Sequence, residues 1–145
     1  MRETGSVAEM TAQRAMSDNA ARVTAMLASW QTRDVDSIVA YFTEDAVYTN
    51  VPIDPPNVGK AQIRAFLEWF FDAVGDLEFI ITRQVEGADG TVMNERIDRL
   101  DFAGKLVELP VMGVFEFRGS LICAWRDYFD MALLNALGTE VTVPR

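Results

Sequence analysis

The chain has 145 residues, half of them hydrophobic, with a net charge of −9, one cysteine and no histidine. This length favours one domain built on a single core. The acidity argues against nucleic acid or an anionic membrane as a partner, because both would repel the chain. The lone Cys123 excludes an internal disulfide and favours a reducing cytoplasm. One cysteine without histidine also argues against a zinc or other soft-metal site.

The missing histidine also limits the possible chemistry. It removes the Ser-His-Asp and Cys-His nucleophilic systems and the commonest general base. Catalysis by this chain would have to use carboxylates, Tyr, Lys, Arg or Ser side chains.

The N-terminal segment lacks hydrophobic periodicity, and residues 1–17 are predicted to form a flexible tail before a single domain over residues 18–145. This segment does not have the basic start and apolar stretch of a secretory signal. Ser17 or Asp18 is the predicted N-cap of the first helix. No apolar run approaches the length of a membrane span, so we expect no membrane-spanning segment.

Three amphipathic helices are predicted in the first half of the chain. The first carries apolar residues at helical spacing over residues 23–30, and the second is short and capped by Asp34. The third lies between Gly59 and Gly75 and has a broad apolar face rich in aromatic residues. That face predicts a helix covering a sheet.

The period changes from helical to alternating after Gly75, which indicates strands. A short strand precedes the proline-rich segment around Pro52, and four longer ones follow the third helix. The predicted strands cover residues 46–50, 77–85, 91–101, 105–117 and 121–130. Short turns between the last four imply an antiparallel meander. Helices followed by strands predict an α+β domain with helices on one sheet face.

A charged residue interrupts an otherwise apolar row in the last strand. Asp127 shares its predicted face with Cys123, Trp125 and Phe129. A carboxylate in such a row is costly unless it is paired or hydrogen-bonded, and such violations concentrate at functional sites. A buried ion-pair network without chemistry is the alternative explanation.

The turn lengths predict which residues lie beside Asp127. A two-residue turn sets Arg96 opposite Val111, and a three-residue turn at 118–120 sets Val111 opposite Asp127. Asp98 lies two residues from Arg96 on the same face. Arg96 would then reach both carboxylates. A bulge at a proline inside the middle strand would change this register.

Two further polar residues are candidates for the same site. Tyr48 and Asn50 are two residues apart on the first predicted strand, so their side chains point the same way. Both can donate and accept hydrogen bonds, and together they could hold a water molecule. A tyrosine at a sheet edge and an asparagine ending a strand would look the same.

With these residues in view, the chain resembles the limonene-1,2-epoxide hydrolase family of the SnoaL-like and NTF2-like superfamily over residues 19–134. The motifs that carry the resemblance are YTN at 48–50, NERID at 94–98, LPVMGVFE at 109–116 and WRDYFD at 125–130. The resemblance implies N-terminal helices packed on a strongly curved, mixed and mostly antiparallel sheet that forms a cone. It also implies a homodimer that needs no cofactor and no metal.

The resemblance further implies residue roles. Its catalytic Asp-Arg-Asp triad falls on Asp98, Arg96 and Asp127, and its water-holding pair falls on Tyr48 and Asn50. Its apolar substrate pocket falls on Phe70, Val74, Leu100, Leu109, Val111 and Phe129.

The implied reaction is one-step hydration of an apolar epoxide, cyclic or terpene-like, with Asp127 as base and Asp98 as acid. Two alternatives stay open. A ketosteroid-isomerase-like enzyme would use Tyr48 and the two acids, although Arg96 between the acids argues against a protonated oxyanion donor. A non-enzymatic NTF2-like binding module is the other, and it would be favoured if Asp98 and Asp127 lay too far apart to share Arg96.

Overall fold

The helices lie largely where their apolar spacing predicts them. The structure, a computed structural model, describes the backbone of residues 7–135 and the side chains of residues 18–135. The helices of that range are α1 (Val7–Ser29), α2 (Val35–Val39), α3 (Gly59–Ala73) and α4 (Met131–Asn135). Asp34 caps α2 as predicted, because its carboxylate accepts hydrogen bonds from the N–H groups of Asp36 and Ser37. Among the described helices, none is both long and apolar enough to cross a membrane.

The start of α1 differs from its prediction. The helix begins at Val7, well before the predicted caps at Ser17 and Asp18. Residues 7–17 contain good helix formers and neither glycine nor proline, so the backbone can stay helical without an apolar stripe. The flexibility of the N-terminal tail stays a prediction. Its first six residues, and residues 136–145 of the predicted domain, lie outside the described part of the chain.

The strands form one mixed sheet against which the helices pack. They are β1 (Phe42–Val51), β2 (Asn57–Val58), β3 (Val74–Glu86), β4 (Val92–Phe102), β5 (Lys105–Arg118) and β6 (Leu121–Tyr128). Their order is β2-β1-β6-β5-β4-β3, and β1 runs parallel to β6 while the other neighbours are antiparallel. The α+β prediction is therefore confirmed. The two-residue β2 and the short α4 were not predicted.

The predicted pairing of β4 with β5 is confirmed. Arg96 lies opposite Val111 and Asp98 lies opposite Leu109, with no register shift along the pair. The anticipated bulge at Pro110 is absent from this ladder. Pro110 lies past the last β5–β6 pair, so within the described backbone β5 has only β4 as a neighbouring strand there. This position is one where a missing N–H is tolerated.

The predicted pairing of β5 with β6 is wrong by two residues. Asp127 lies opposite Gly113 rather than Val111. The turn has two residues rather than three, and a bulge on β6 at Cys123 adds a second one-residue shift. Each one-residue shift moves the side chains to the opposite face of the sheet, so two shifts return them to the predicted face. Asp127 therefore still faces the same side of the sheet as Arg96.

The core lies between the helices and one face of this sheet. α1 packs mainly on β3, and α3 packs mainly on β1. Trp30 lies at the centre, where its ring makes edge-to-face contacts with Phe70, Phe79 and Trp125 at centroid distances of 5.2–5.7 Å. Such contacts add to the stabilisation from burial. The polar cluster of β4 and β6 opens into this aromatic layer.

Candidate active site

Arg96 is the centre of a buried polar cluster. It is completely buried, and Asp98 and Asp127 are only 6% and 4% exposed. Its Nε and Nη2 donate to the two oxygens of Asp98, both at 3.0 Å. Its Nη1 and Nη2 donate to the two oxygens of Asp127 at 3.1 and 2.8 Å. The guanidinium therefore holds both carboxylates in paired, charge-assisted hydrogen bonds.

The fifth N–H of Arg96 donates to Asn94, a residue that has no predicted role. Nη1 donates to Asn94 Oδ1 at 3.0 Å, so all five N–H groups of the guanidinium have acceptors. Asn94 Nδ2 donates in turn to Gln84 Oε1 at 3.1 Å. Gln84 is tied to α1 through Ala20 O and Thr24 Oγ1. This chain fixes the orientation of the Asn94 amide, and the alternation of β4 was the sequence signal that placed it on this face.

Gly113 provides the opening through which Arg96 reaches Asp127. It lies between Asn94 and Asp127 in the ladder. A Cβ at this position would lie 2.6 Å from Arg96 Nη1, 2.8 Å from Asn94 Oδ1 and 2.9 Å from Asp127 Oδ1. Side chains of β4 and β6, the strands on either side of β5, can therefore meet only because this residue has none. A glycine inside a strand was the signal, since it often marks a close approach.

The cluster shifts the protonation of its members. Burial raises the pKa of Asp98 to about 6, against the opposing effect of Arg96, and the charge of Asp127 raises it further. Burial lowers the pKa of Arg96, but the carboxylates of Asp127 and Asp98 outweigh this and raise it overall. Arg96 therefore stays charged, while Asp98 is a carboxyl group that can hold a proton near neutral pH.

Tyr48 and Asn50 lie beside these acids on β1. The parallel pairing sets Tyr48 next to Trp125 and Asn50 next to Asp127. Tyr48 Oη donates to Asn50 Oδ1 at 3.1 Å. Burial and the nearby charge of Asp127 raise the pKa of Tyr48 well above 10, so its hydroxyl stays protonated. The structure thus brings all five predicted polar residues into one cluster.

A cavity of about 590 Å³, its open mouth included, lies over the acids. Asp98, Asp127, Tyr48 and Asn50 reach its wall, whereas Arg96 lies behind the two carboxylates. Five of the six predicted pocket residues line it: Phe70, Leu100, Leu109, Val111 and Phe129. Val74 is buried in the core and is not part of the lining. Further apolar residues that line the cavity were not predicted to do so: Trp30, Ile53, Phe66, Trp69, Phe79, Phe102, Trp125 and Leu134.

Metal-ligating side chains do not gather here. Among the described residues, no group of three or more His, Cys, Asp or Glu side chains is placed to hold a metal ion. The carboxylates of Asp98 and Asp127 accept hydrogen bonds from Arg96 instead.

Comparison with known proteins places this geometry in a family. The sequence profile of the limonene-1,2-epoxide hydrolase catalytic domain matches residues 17–138. Epoxide hydrolase EphG of Mycobacterium tuberculosis is 36% identical over 110 residues, which cover 75% of this chain and 71% of EphG. The solved structure of an LEH-like epoxide hydrolase from M. tuberculosis has a TM-score of 0.71 at 34% identity, covering 84% of this chain and 93% of that one.

More distant structures share the fold alone. An NTF2-like protein of unknown function from Burkholderia pseudomallei has a TM-score of 0.77 at 17% identity, covering 85% of this chain and 98% of that one. The NTF2-like architecture expected from the sequence is thereby confirmed. With the profile match over most of its length and the identity to EphG, this chain belongs to the limonene-1,2-epoxide hydrolase family.

Proposed function

We propose that this protein adds water to an apolar epoxide in one step and releases a vicinal diol, without a cofactor. Membership of an epoxide hydrolase family supports epoxide hydrolysis in general. The observation that carries the specific proposal is the shared guanidinium of Arg96, which holds Asp98 and Asp127 side by side at the wall of an apolar cavity. Acids too far apart to share Arg96 would have favoured a non-enzymatic binding module, and here both accept hydrogen bonds from Arg96.

The two acids are assigned different roles because their surroundings differ. Asp127 accepts three hydrogen bonds, two from Arg96 and one from Trp125. Among the described side chains, Asp98 accepts hydrogen bonds from Arg96 alone, and burial raises its pKa to about 6. We assign Asp127 as the general base and Asp98 as the general acid.

The attacking water is assigned to Tyr48, Asn50 and Asp127. Tyr48 Oη occupies Asn50 Oδ1, which leaves the amide N–H₂ of Asn50 free to donate to a water molecule. Asn50 lies next to Asp127 across the β1–β6 pair. A water molecule there could accept from Asn50 and donate to the base at the same time.

The two acids together account for the protons that move in the reaction. Asp127 takes one proton from the water, the water oxygen bonds to an epoxide carbon, and the carbon–oxygen bond of the ring breaks. Asp98 gives its proton to the departing ring oxygen, which completes the diol. A proton passing from Asp127 to Asp98 restores the starting state. The route through an aspartate nucleophile and a histidine base is closed to this chain, which has no histidine.

An apolar substrate is proposed from the lining of the cavity. About half of the lining side chains are aromatic, and most others are aliphatic. The polar groups are confined to the cluster at Asp98 and Asp127. Such a wall favours an apolar ring or chain and orients it by its single polar group, the epoxide oxygen.

A homodimer is proposed from the outer face of the sheet. Ile80, Met93, Met112 and Tyr128 are exposed there, on neighbouring strands and away from the helices. Several large apolar side chains exposed on one sheet face favour an interface. Sedimentation should give a mass twice that of the chain, and Met112→Glu should shift the measured mass toward that of the monomer.

The single cysteine supports a cytoplasmic location.

The mechanism is tested by a single turnover in water labelled with oxygen-18. We expect label in the diol from the first turnover, because the water attacks directly. Unlabelled oxygen taken from the protein would refute the one-step mechanism.

The assigned roles are tested by Asp127→Asn and Asp98→Asn, each of which should lower kcat by a factor of about 10³ or more while the fold survives. Asp130→Asn is the matched control from the same segment, since Asp130 is exposed and its carboxylate accepts from Ala132 N. Turnover of a Δ5-3-ketosteroid without turnover of any epoxide would favour the isomerase alternative.

A further inference from the structure

Trp125 makes a direct hydrogen bond to the proposed base. Its indole Nε1 donates to Asp127 Oδ1 at 2.7 Å, the shortest of the three hydrogen bonds to that carboxylate. The two residues are neighbours on one face of β6, and both are buried. The indole of a buried tryptophan needs an acceptor, and here that acceptor is the carboxylate itself.

The same ring also supports Tyr48. The two rings are stacked with centroids 4.1 Å apart and planes 15° apart. On other sides the indole contacts Phe115 and Phe42 in stacked geometry at 5.3 and 6.1 Å. These contacts lock the orientation of the indole. One side chain therefore fixes both the base and one of the two residues that hold the water.

The hydrogen bonds to Asp127 are unequal. Among side chains 18–135, Oδ1 accepts from Trp125 and from Arg96 Nη1, whereas Oδ2 accepts from Arg96 Nη2 alone. A carboxylate oxygen has two lone-pair sites. Oδ1 is therefore saturated, and Oδ2 keeps one site for a further partner.

We propose that Trp125 is a positioning residue that occupies Oδ1 of Asp127 and so leaves Oδ2 as the atom that takes the proton from water. This inference rests on the proposed role of Asp127 as the base. Trp125 acts through Asp127 and Tyr48 and does not itself exchange a proton. The other charged or titratable groups close to Asp127 are Arg96 and Asp98 of β4 and Tyr48 of β1.

A first experiment tests the hydrogen bond without any turnover. The chain has three tryptophans, so a nitrogen-15 spectrum shows three indole N–H signals, which single Trp→Phe variants assign. We expect Asp127→Asn to move the Trp125 indole proton upfield, because a charged acceptor is replaced by a neutral one. The Trp30 signal should stay in place, since Trp30 donates to Met26 Sδ. An unmoved Trp125 signal would overturn the proposal.

A second experiment compares two variants that each shrink a buried aromatic ring. Trp125→Phe keeps an aromatic ring and loses the N–H, so kcat should fall about tenfold to a hundredfold with little change in KM. Phe115→Leu weakens the packing of Trp125 but leaves the indole N–H in place, and should lower thermal stability with a smaller loss of kcat than Trp125→Phe.

The outcomes separate the inference from the proposed function. If Trp125→Phe keeps wild-type kcat and KM, Trp125 only packs and the inference is wrong. If the wild-type protein hydrolyses no epoxide, the proposed function fails. The indole spectrum still decides whether Trp125 holds the carboxylate.

Discussion

Replacing Gly113 by alanine tests whether the absence of a side chain builds the site. A Cβ there would lie within 3 Å of three polar atoms, the nearest being Arg96 Nη1 at 2.6 Å. Unstrained carbon contacts begin near 3.5 Å, so these atoms would have to move by roughly half an ångström to one ångström. The ends of long side chains usually yield easily. Arg96 does not, because five hydrogen bonds and complete burial hold it.

The expected cost follows from that displacement. Overpacking a buried site lowers the free energy of unfolding by about 1–3 kcal/mol. A shift of about one ångström in a catalytic group lowers the rate by roughly a hundredfold. Gly113→Ala should therefore fold, unfold at lower urea concentration and hydrolyse epoxides about a hundredfold more slowly, with the loss in kcat rather than in KM.

Gly75→Ala is the matched control for this change. Gly75 also lies in a strand, and its added Cβ would meet only the side chain of Asp101, at 3.2 Å and away from the cavity. Its kcat should equal that of the wild type. Wild-type kcat and urea midpoint in Gly113→Ala would refute the reasoning, because they would show that the Arg96 cluster tolerates a methyl group in its centre.

Four further predictions concern the same cluster. In a pH–rate profile, kcat/KM should fall about tenfold per pH unit above about pH 6, because Asp98 has a pKa of about 6 and must carry the proton; a flat profile to pH 8 would contradict its role as acid. The pKa of Asp98 is raised above its usual value of 3.8, mainly by burial, so its contribution to stability is present below pH 3.8 and lost as pH rises through 6. Chemical denaturation should therefore show Asp98→Asn gaining stability relative to the wild type between pH 4 and pH 7, and a constant difference would be the contrary result. Arg96→Lys should lower kcat at least about a hundredfold, because an ammonium cannot hold two carboxylates in paired hydrogen bonds, and near-normal kcat would show that charge alone suffices. Asn94→Ala should lower the free energy of unfolding by about 1–3 kcal/mol, because it leaves an Arg96 N–H without an acceptor. An unchanged urea midpoint would mean that a water molecule replaces the Asn94 oxygen.

The sequence located the polar cluster because alternation in strands is a strict rule. Asp98 follows Arg96 by two residues on one strand, so their shared face needed no knowledge of the partner strands. Asp127 stood out because its row is otherwise apolar. These local patterns, with the family motifs, were enough to place the five polar residues together.

The exact neighbour of Asp127 could not be predicted, because the register depends on turn and bulge geometry. The turn before Leu121 proved one residue shorter than assumed, and the bulge at Cys123 has no clear sequence signal. The two shifts left Asp127 on the predicted face of the sheet, but they placed Gly113 rather than Val111 opposite it. Strand alternation and an in-strand glycine single out Asn94 and Gly113, but their close contacts with Arg96 and Asp127 depend on this register.

The pocket was harder to predict than the cluster. The core and the cavity wall are built from the same apolar residue types. Spacing along the chain therefore could not show that Phe70 lines the cavity whereas Val74 is buried in the core. Whether a side chain faces a space or another side chain depends on how α3 sits on β1, which is a property of the packed molecule.

The position of β6 in the sheet has a consequence for how activity arises. β6 is the last strand of residues 7–135, yet it lies between β1 and β5, in the interior of the sheet. Until β6 is in place, β1 and β5 present open edges that can pair with other chains. The strand that closes this gap also carries Asp127 and Trp125. Completing the sheet and acquiring the base are thus one event, so a chain that ends before β6 would be both inactive and prone to aggregate.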